Sequence, residues 1–445
     1  MRVTSVALLG LFVWSIACCQ AADRREAGIR LRALEQKWET SGQEARGRAV
    51  PFISNAVMGF FSGQFNRVCE NLSRAQFALE SSGEATTERK YADSLALSMP
   101  RIAEPGQEIE FKLGSIFEAP SANLTVRIEV LALDGTQAHS VSGPTLVHKM
   151  RLPDQEGEYR VKVILSHQGA RLRDIHQPLS VISNLEGRIA KIREKAGNRE
   201  GFEAATLRMW AEELENSREG RPNESAFPLT VLVARAEKSA DDWLREPGDH
   251  WWAIPSERGV VRSRVFVPEQ AERGVRPLVV ALHGAGGNEH MFFESLGVGK
   301  AVREAKERGW YLIAPVANAP GSVETVLAFA KKNLKISEPR VFLIGHSMGG
   351  FMTLDAARKM PKTFAAIGAI AAGDRGGQGE LPPLFLAVGE QEIGMLRQQA
   401  KAAAENLKSK TTLEFKTYPN SEHLMIVADC LPDLFKFLDK HMLAR

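Results

Sequence analysis

A chain of 445 residues is too long for one ordinary hydrophobic core, so two or three domains are expected. Its 57 Lys and Arg residues face 54 Asp and Glu, a net charge of +3, and no long run of one sign stands out. That balance argues against a nucleic acid or an acidic polymer as partner.

Residues 1–21 read as a secretory signal peptide. Arg2 gives a positive start, 6–19 is almost wholly apolar, and Cys19-Gln20-Ala21 offers small residues before a cut. The apolar run is short for a membrane span, and Asp23-Arg24-Arg25-Glu26 follows at once, so a secreted or periplasmic location without a stable span is expected. Ser15-Ile16-Ala17-Cys18 is a poor lipidation pattern, which makes a lipid anchor at Cys18 the lesser reading. Cleavage after Ala21 would leave Cys69 and Cys430, in different regions, as two buried free thiols instead of a disulfide framework.

Residues 22–96 carry a helical pattern. Ile29, Leu31, Leu34 and Trp38 recur at helical spacing, Pro51 restarts the pattern, and the apolar positions on either side of Ser62-Gly63 suggest two antiparallel helices. One such pair is too little for a repeat array, so a helical layer packed on another domain is expected. Over 97–184 the period changes to two: 108–113, 124–130 and 159–165 alternate like half-buried strands. Asp154-Gln155-Glu156-Gly157-Glu158-Tyr159 resembles the tyrosine corner of immunoglobulin-like sandwiches, and a small β-sandwich follows, fit for spacing as much as for binding. Residues 185–250 return to helix as a connector. Trp243, Trp251 and Trp252, near the junction, fill an interface on this reading instead of forming a sugar-stacking platform.

From 251 to 445 strands and helices alternate: 260–267, 277–282, 292–308, 311–316, 323–332 and 341–344 lead into further units. This is the pattern of a doubly wound, mostly parallel α/β sheet covered on both faces. The strand at 341–344 ends in Gly345-His346-Ser347-Met348-Gly349-Gly350 and a helical pattern follows. A serine on such a sharp strand-to-helix turn projects its hydroxyl from the sheet edge, and the flanking glycines avoid clashes there. An earlier strand, 278–282, ends in His283-Gly284-Ala285-Gly286-Gly287. Acyl transfer needs fixed donors for the oxyanion, and the N–H of Met348 plus that of Ala285 or a neighbour could supply them.

A serine hydroxyl needs a base, and the base an orienting acid. The strand at 384–388 exits into Gly389-Glu390-Gln391-Glu392, which nominates Glu392, with Glu390 and Asp374 as lesser candidates. The loop Pro419-Asn420-Ser421-Glu422 then delivers His423; of the ten histidines, only His423 and His441 follow the last strand. His283 belongs to the Gly-rich loop, and His346 sits in the elbow's second slot, where it shapes the turn.

Together, 277–287, 340–350, the Gly389 loop and His423 resemble the α/β-hydrolase superfamily. More narrowly, Arg262-Ser263-Arg264-Val265-Phe266-Val267-Pro268 leading to the Gly-rich loop and Ser347 is similar to secreted esterases of the polyhydroxybutyrate depolymerase and feruloyl esterase type. The resemblance covers less than half of the chain, from about 259 onward. It implies a Ser347, Glu392, His423 triad, an acyl-enzyme intermediate and no metal or cofactor. Glu392 departs from the Asp commoner in those esterases, and the segment after Trp310 runs through Pro320-Gly321 into the next helix with little inserted sequence.

No long insertion follows 366–372, where many lipases and peptidases carry a lid, so an open cleft for an ester of a bulky, polymeric or carbohydrate-linked alcohol is expected. The alternative is that the preceding domains cover its mouth. The expectation is a secreted serine esterase. A peptidase of the prolyl-oligopeptidase type and a non-catalytic binding protein on a hydrolase scaffold are the competing readings.

Overall fold

A computed structural model describes residues 21–442. The reading of 1–21 as a signal, and of Cys18 as an anchor, therefore lies outside the described residues except for Ala21. No helix among the described residues is long and apolar enough to cross a membrane.

The N-terminal layer consists of four helices, Arg24–Thr40, Gln43–Phe61, Phe65–Glu80 and Thr87–Ser94. Asp23 starts the first by accepting the Glu26 N–H on its side chain. Pro51 does not restart a helix but lies inside Gln43–Phe61. Its missing N–H costs one bond, the one to the Gly47 carbonyl, and the packed apolar face on either side carries the helix through. Gly63, at φ 68°, turns the chain into the next helix. Cys69 in this layer and Cys430 in the last helix are both buried and unbridged.

Two small sheets share one core. One orders Leu95–Ser98, Glu108–Ser115 and Val147–Arg151; the other orders Ile102–Ala103, Ala170–Val181, Gly157–His167, Thr125–Ala132 and Gln137–Gly143. Their strands alternate buried and exposed positions, as period-two faces require. The Tyr159 hydroxyl donates to the Gln155 carbonyl at 2.9 Å.

The large sheet has eight strands: β1 (Gly248–Ser256), β2 (Gly259–Val267), β3 (Arg276–Leu282), β4 (Tyr311–Pro315), β5 (Ile336–His346), β6 (Ala366–Ile370), β7 (Leu384–Gly389) and β8 (Leu413–Tyr418). Their order is β8-β7-β6-β5-β3-β4-β2-β1. Pairing is parallel from β4 through β8, and β1 and β2 are antiparallel. Alternation along β3 sends Leu278, Val280 and Leu282 into the core of one face and Val279 and Ala281 into the other. Helices Ser322–Asn333, Met348–Lys359 and Gly394–Leu407 cover the first face, and Lys300–Arg308 and Met425–Lys440 the second, which is the expected doubly wound layout.

Three further details differ from the sequence expectation. Strand β1 starts at Gly248, where helix was expected to persist, because Trp251, Trp252 and Ile254 pair with β2 as a hairpin. The connector helices Leu185–Ala196, Phe202–Arg218, Leu229–Ala236 and Ala240–Arg245 share the first-face core of the large sheet, so they form a further layer on it. Trp243, Trp251 and Trp252 are fully buried there, and the Trp210 indole donates to the Trp251 carbonyl at 2.7 Å, as an interface requires and a sugar platform does not. Finally, 292–308 is broken: Met291–Glu294 and Lys300–Arg308 flank Leu296, Gly297, Val298 and Gly299, all at positive φ.

That strained loop is held from outside. Glu35 of the first helix accepts the Leu296 N–H at 2.8 Å and the Val298 N–H at 3.3 Å. Burial raises Glu35 from 4.5 to about 7, against the lowering effect of these amides. A carboxyl that keeps its proton longer when folded contributes stability below about pH 4.5 and loses it as pH rises to about 7. Glu35→Gln is therefore expected to flatten the fall in melting temperature across that window, measured by calorimetry; an unchanged slope would contradict the assignment.

Candidate active site

Ser347 stands between β5 and the helix Met348–Lys359 at φ 54° and ψ −119°, a backbone conformation that side chains rarely adopt. The surroundings enforce it. A Cβ on Gly345 would run into the Gly349 carbonyl, one on Gly349 into the Leu282 carbonyl, and one on Gly350 would lie 2.6 Å from Ala372 Cβ. The Ser347 N–H donates to the Ile370 carbonyl at 2.8 Å, tying the turn to β6. Ser347 is left 8% exposed.

The loops after β7 and β8 bring the other two residues together. The Gln391 N–H donates to the Ser421 carbonyl at 3.0 Å, and Gly389 leaves no room for a side chain against that same carbonyl. Glu392, at the end of this clamp, accepts from His423 Nδ1 at 2.8 Å and from the Ile393 N–H at 2.8 Å on the same oxygen, Oε1. The lesser acid candidates sit elsewhere: Glu390 is exposed, and Asp374 pairs with Arg358 at 2.7 Å and caps the Gly376 N–H. His423 lines the same cavity as Ser347, and with Nδ1 occupied Nε2 is its remaining ring nitrogen.

Burial separates the histidines. It lowers His346 to about 3, and His346 Nε2 donates to the His423 carbonyl at 2.7 Å, fixing the backbone of the neighbouring loop. His283, lowered by burial, donates from Nδ1 to the Gly284 carbonyl and accepts the Ala317 N–H on Nε2 at 2.9 Å. His441 packs on Phe437 at the far end of the last helix. At His423 burial alone would depress the ring, but the hydrogen bond and charge of Glu392, with Glu422, outweigh it and raise the pKa above 6.5.

Glu422 was not singled out by the sequence pattern. It is buried, caps the last helix by accepting the Leu424 and Met425 N–H groups at 2.9 and 2.8 Å, and is raised by burial to about 7. Its position just before a helical run was the available signal.

The Gly-rich loop after β3 presses against the elbow: a Cβ on Gly284 would lie 3.1 Å from His346 Nδ1 and 3.2 Å from Ser347 Cβ. Ala285 lines the same cavity as Ser347, and Met348, first residue of its helix, has an N–H without an intrahelical acceptor. The loop is held from the N-terminal layer. Arg24 donates to the Gly286 carbonyl at 2.6 Å and pairs with Glu224 at 3.0 Å, while the Phe60 ring lies where a Gly286 side chain would.

These contacts overturn the expectation of an open cleft. Ser347 and His423 line a cavity of about 120 Å³ whose roof is the N-terminal layer, with Ala27, Leu31, Ala56, Val57, Phe60 and Leu72 among its walls. The layer was legible as helix; its position over the serine was not, because no short-range pattern encodes a contact between residues more than 250 positions apart.

No sequence model of a known protein family matches the chain, and no curated protein matches it. Among solved structures, an S-formylglutathione hydrolase from Agrobacterium tumefaciens matches with a TM-score of 0.38 and 16% identity, over 44% of this chain and 97% of that one. A fluorophosphonate-binding serine hydrolase of Staphylococcus aureus matches with a TM-score of 0.36 and 16% identity, over 43% of this chain and 99% of that one. A feruloyl esterase module from Clostridium thermocellum, complexed with sinapinate, gives a TM-score of 0.38 and 14% identity over 46% and 94%. Each likeness spans less than half of the chain, and the chemistry of the site rests on the geometry above.

The His423 environment has a direct test. Its imidazole is expected to titrate above 6.5 by NMR, and Glu392→Gln should lower that value while Glu390→Gln leaves it in place. Equal shifts in both variants would remove Glu392 from its assigned position.

Proposed function

We propose that the chain is a serine hydrolase of carboxylic esters working through an acyl-enzyme intermediate. The observation that carries this is a backbone-strained Ser347 facing the cavity that holds His423, whose Nδ1 is bonded to Glu392 at 2.8 Å. Ser347 Oγ attacks the ester carbonyl carbon as His423 Nε2 takes its proton, once substrate binding brings the two within hydrogen-bond reach. Glu392 orients the ring and stabilises the imidazolium without taking the proton. The carbonyl oxygen, now an oxyanion, is held by the Met348 N–H and the N–H of Ala285, and loss of one such donor costs roughly 3 kcal/mol of transition-state stabilisation. His423 returns the proton to the departing alcohol, then draws one from water, whose oxygen bonds to the acyl carbon; as the bond to Ser347 Oγ breaks, His423 gives that proton to Oγ and the carboxylic acid leaves. No step calls for a metal or a cofactor.

The narrower kinship with polyhydroxybutyrate depolymerases and feruloyl esterases, export through residues 1–21, and an immunoglobulin-like form for the sandwich belong to the same proposal. The last is supported by the sheet order and by the Tyr159 hydroxyl on the Gln155 carbonyl. A roofed cavity argues against direct attack on a solid polymer. A prolyl-oligopeptidase reading finds no support in a β unit of two packed sheets, which lacks propeller blades.

Ser347→Ala is expected to reduce hydrolysis of p-nitrophenyl butyrate by at least about a thousandfold with little change in melting temperature. A fluorophosphonate probe should label the parent protein and not the variant. Retained turnover would reject Ser347 as nucleophile, and absence of label on the parent would favour the binding-protein alternative.

A further inference from the structure

The cavity around Ser347 has two unlike sides. On the His423 side stands Phe61, with its ring 6.3 Å from the imidazole and 52% of its surface exposed. The other side runs up into the N-terminal layer between Ala27, Leu31, Ala56, Val57, Val68 and Leu72, all apolar and buried or half-buried.

Reaction geometry assigns the two parts of an ester to these sides. His423 Nε2 must reach Ser347 Oγ and then the departing oxygen, so the alcohol lies on the histidine side, beside the half-exposed Phe61. The acyl chain extends away from it, which leaves the enclosed apolar side for that chain.

The charged groups that line the cavity do not call for a charged acyl group, because each has an opposite partner. Arg24 pairs with Glu224 at 3.0 Å, Arg32 with Glu294 at 3.8 Å, and Glu294 also with Arg264 at 2.6 Å. A carboxylate or ammonium on the acyl chain would have to displace one of these pairs or lie unpaired in an apolar pocket. Size sets the other limit. A dry apolar cavity of about 150 Å³ holds benzene, so one of about 120 Å³ accepts an acyl tail of roughly four to six carbons.

We propose that the N-terminal helical layer is the acyl-binding part of the active site, selecting esters of short, uncharged, apolar acids while leaving the alcohol largely unrestricted. This rests on the ester-hydrolase reading above. The specificity-determining residues are Gly28 and Leu31, on one helix facing the cavity. At Gly28 an added Cβ would meet only Arg32 Nη1 at 3.5 Å and Glu224 Cβ at 3.9 Å, ordinary contacts, so a larger side chain can be introduced there in a helix that favours it.

The test is the acyl-length profile of p-nitrophenyl acetate, butyrate, hexanoate and decanoate. In the parent, kcat/KM should climb by up to about fourfold per methylene from acetate toward hexanoate, then fall at decanoate. Gly28→Leu should cut the hexanoate-to-acetate ratio by at least about tenfold, and Leu31→Ala should raise the decanoate-to-butyrate ratio. Varying the alcohol with butyrate fixed should give the same ranking in all three proteins. A parent that reacts with the fluorophosphonate and turns over esters, but whose acyl ratios neither substitution moves, overturns the acyl pocket alone. A parent that does neither overturns the hydrolase reading instead. If Gly28→Leu does not fold, the ratio in Leu31→Ala decides.

Discussion

The backbone of Gly349 passes so close to the Leu282 carbonyl that no side chain fits between them, and this one steric constraint organises the site. It brings the helix after β5 down onto the end of β3, which forces Ser347 into a left-handed turn and lifts its side chain clear of the sheet. It also sets the Gly-rich loop after β3 against the serine, with Gly284 over Ser347 Cβ and His346. β5 can serve as this hinge because it lies between β3 and β6 in the sheet, so both neighbours contribute: β3 the loop, and β6 the Ile370 carbonyl that accepts the Ser347 N–H.

The N-terminal helices complete what the sheet begins. Arg24 grips the Gly286 carbonyl, Glu35 caps the strained segment at Leu296 and Val298, and Asp429, just beyond the histidine loop, gathers the Trp38 indole, Arg46 and the Ser421 hydroxyl. Two helices thus brace both the Gly-rich loop after β3 and the loop that carries His423. Removing a partner from such partly buried polar contacts leaves the other desolvated and unsatisfied, which is costlier than the contact is strong. The layer is therefore coupled to the geometry of the site as well as roofing it.

Electrostatic environment distinguishes the histidines that crowd around Ser347. His283, His346 and His423 are all buried, and burial opposes charge on each. Only His423 has a carboxylate on its ring, and only its pKa is raised. His283 spends both ring nitrogens on backbone groups and His346 spends Nε2 on one, so both act as struts.

The sequence by itself determined what depends on neighbours along the chain. The alternation of strands and helices after 251 marked the layered sheet, the glycines around Ser347 marked the turn, and the spacing from Gly389 put Glu392 ahead of Glu390. Those are short-range consequences of strand period and backbone sterics, and they hold whatever the rest of the molecule does. Tertiary structure decided the rest. Trp251 and Trp252 read as fillers of a domain junction and joined β1, since pairing with β2 supplied hydrogen bonds that helical spacing could not reveal. Pro51 stayed inside a helix because packing outweighed one lost bond. The mouth of the site closed under helices from the other end of the chain, since apolar faces at Ala27, Ala56 and Val57 carry no mark of what they will cover. Only the folded packing pairs those faces with Ser347.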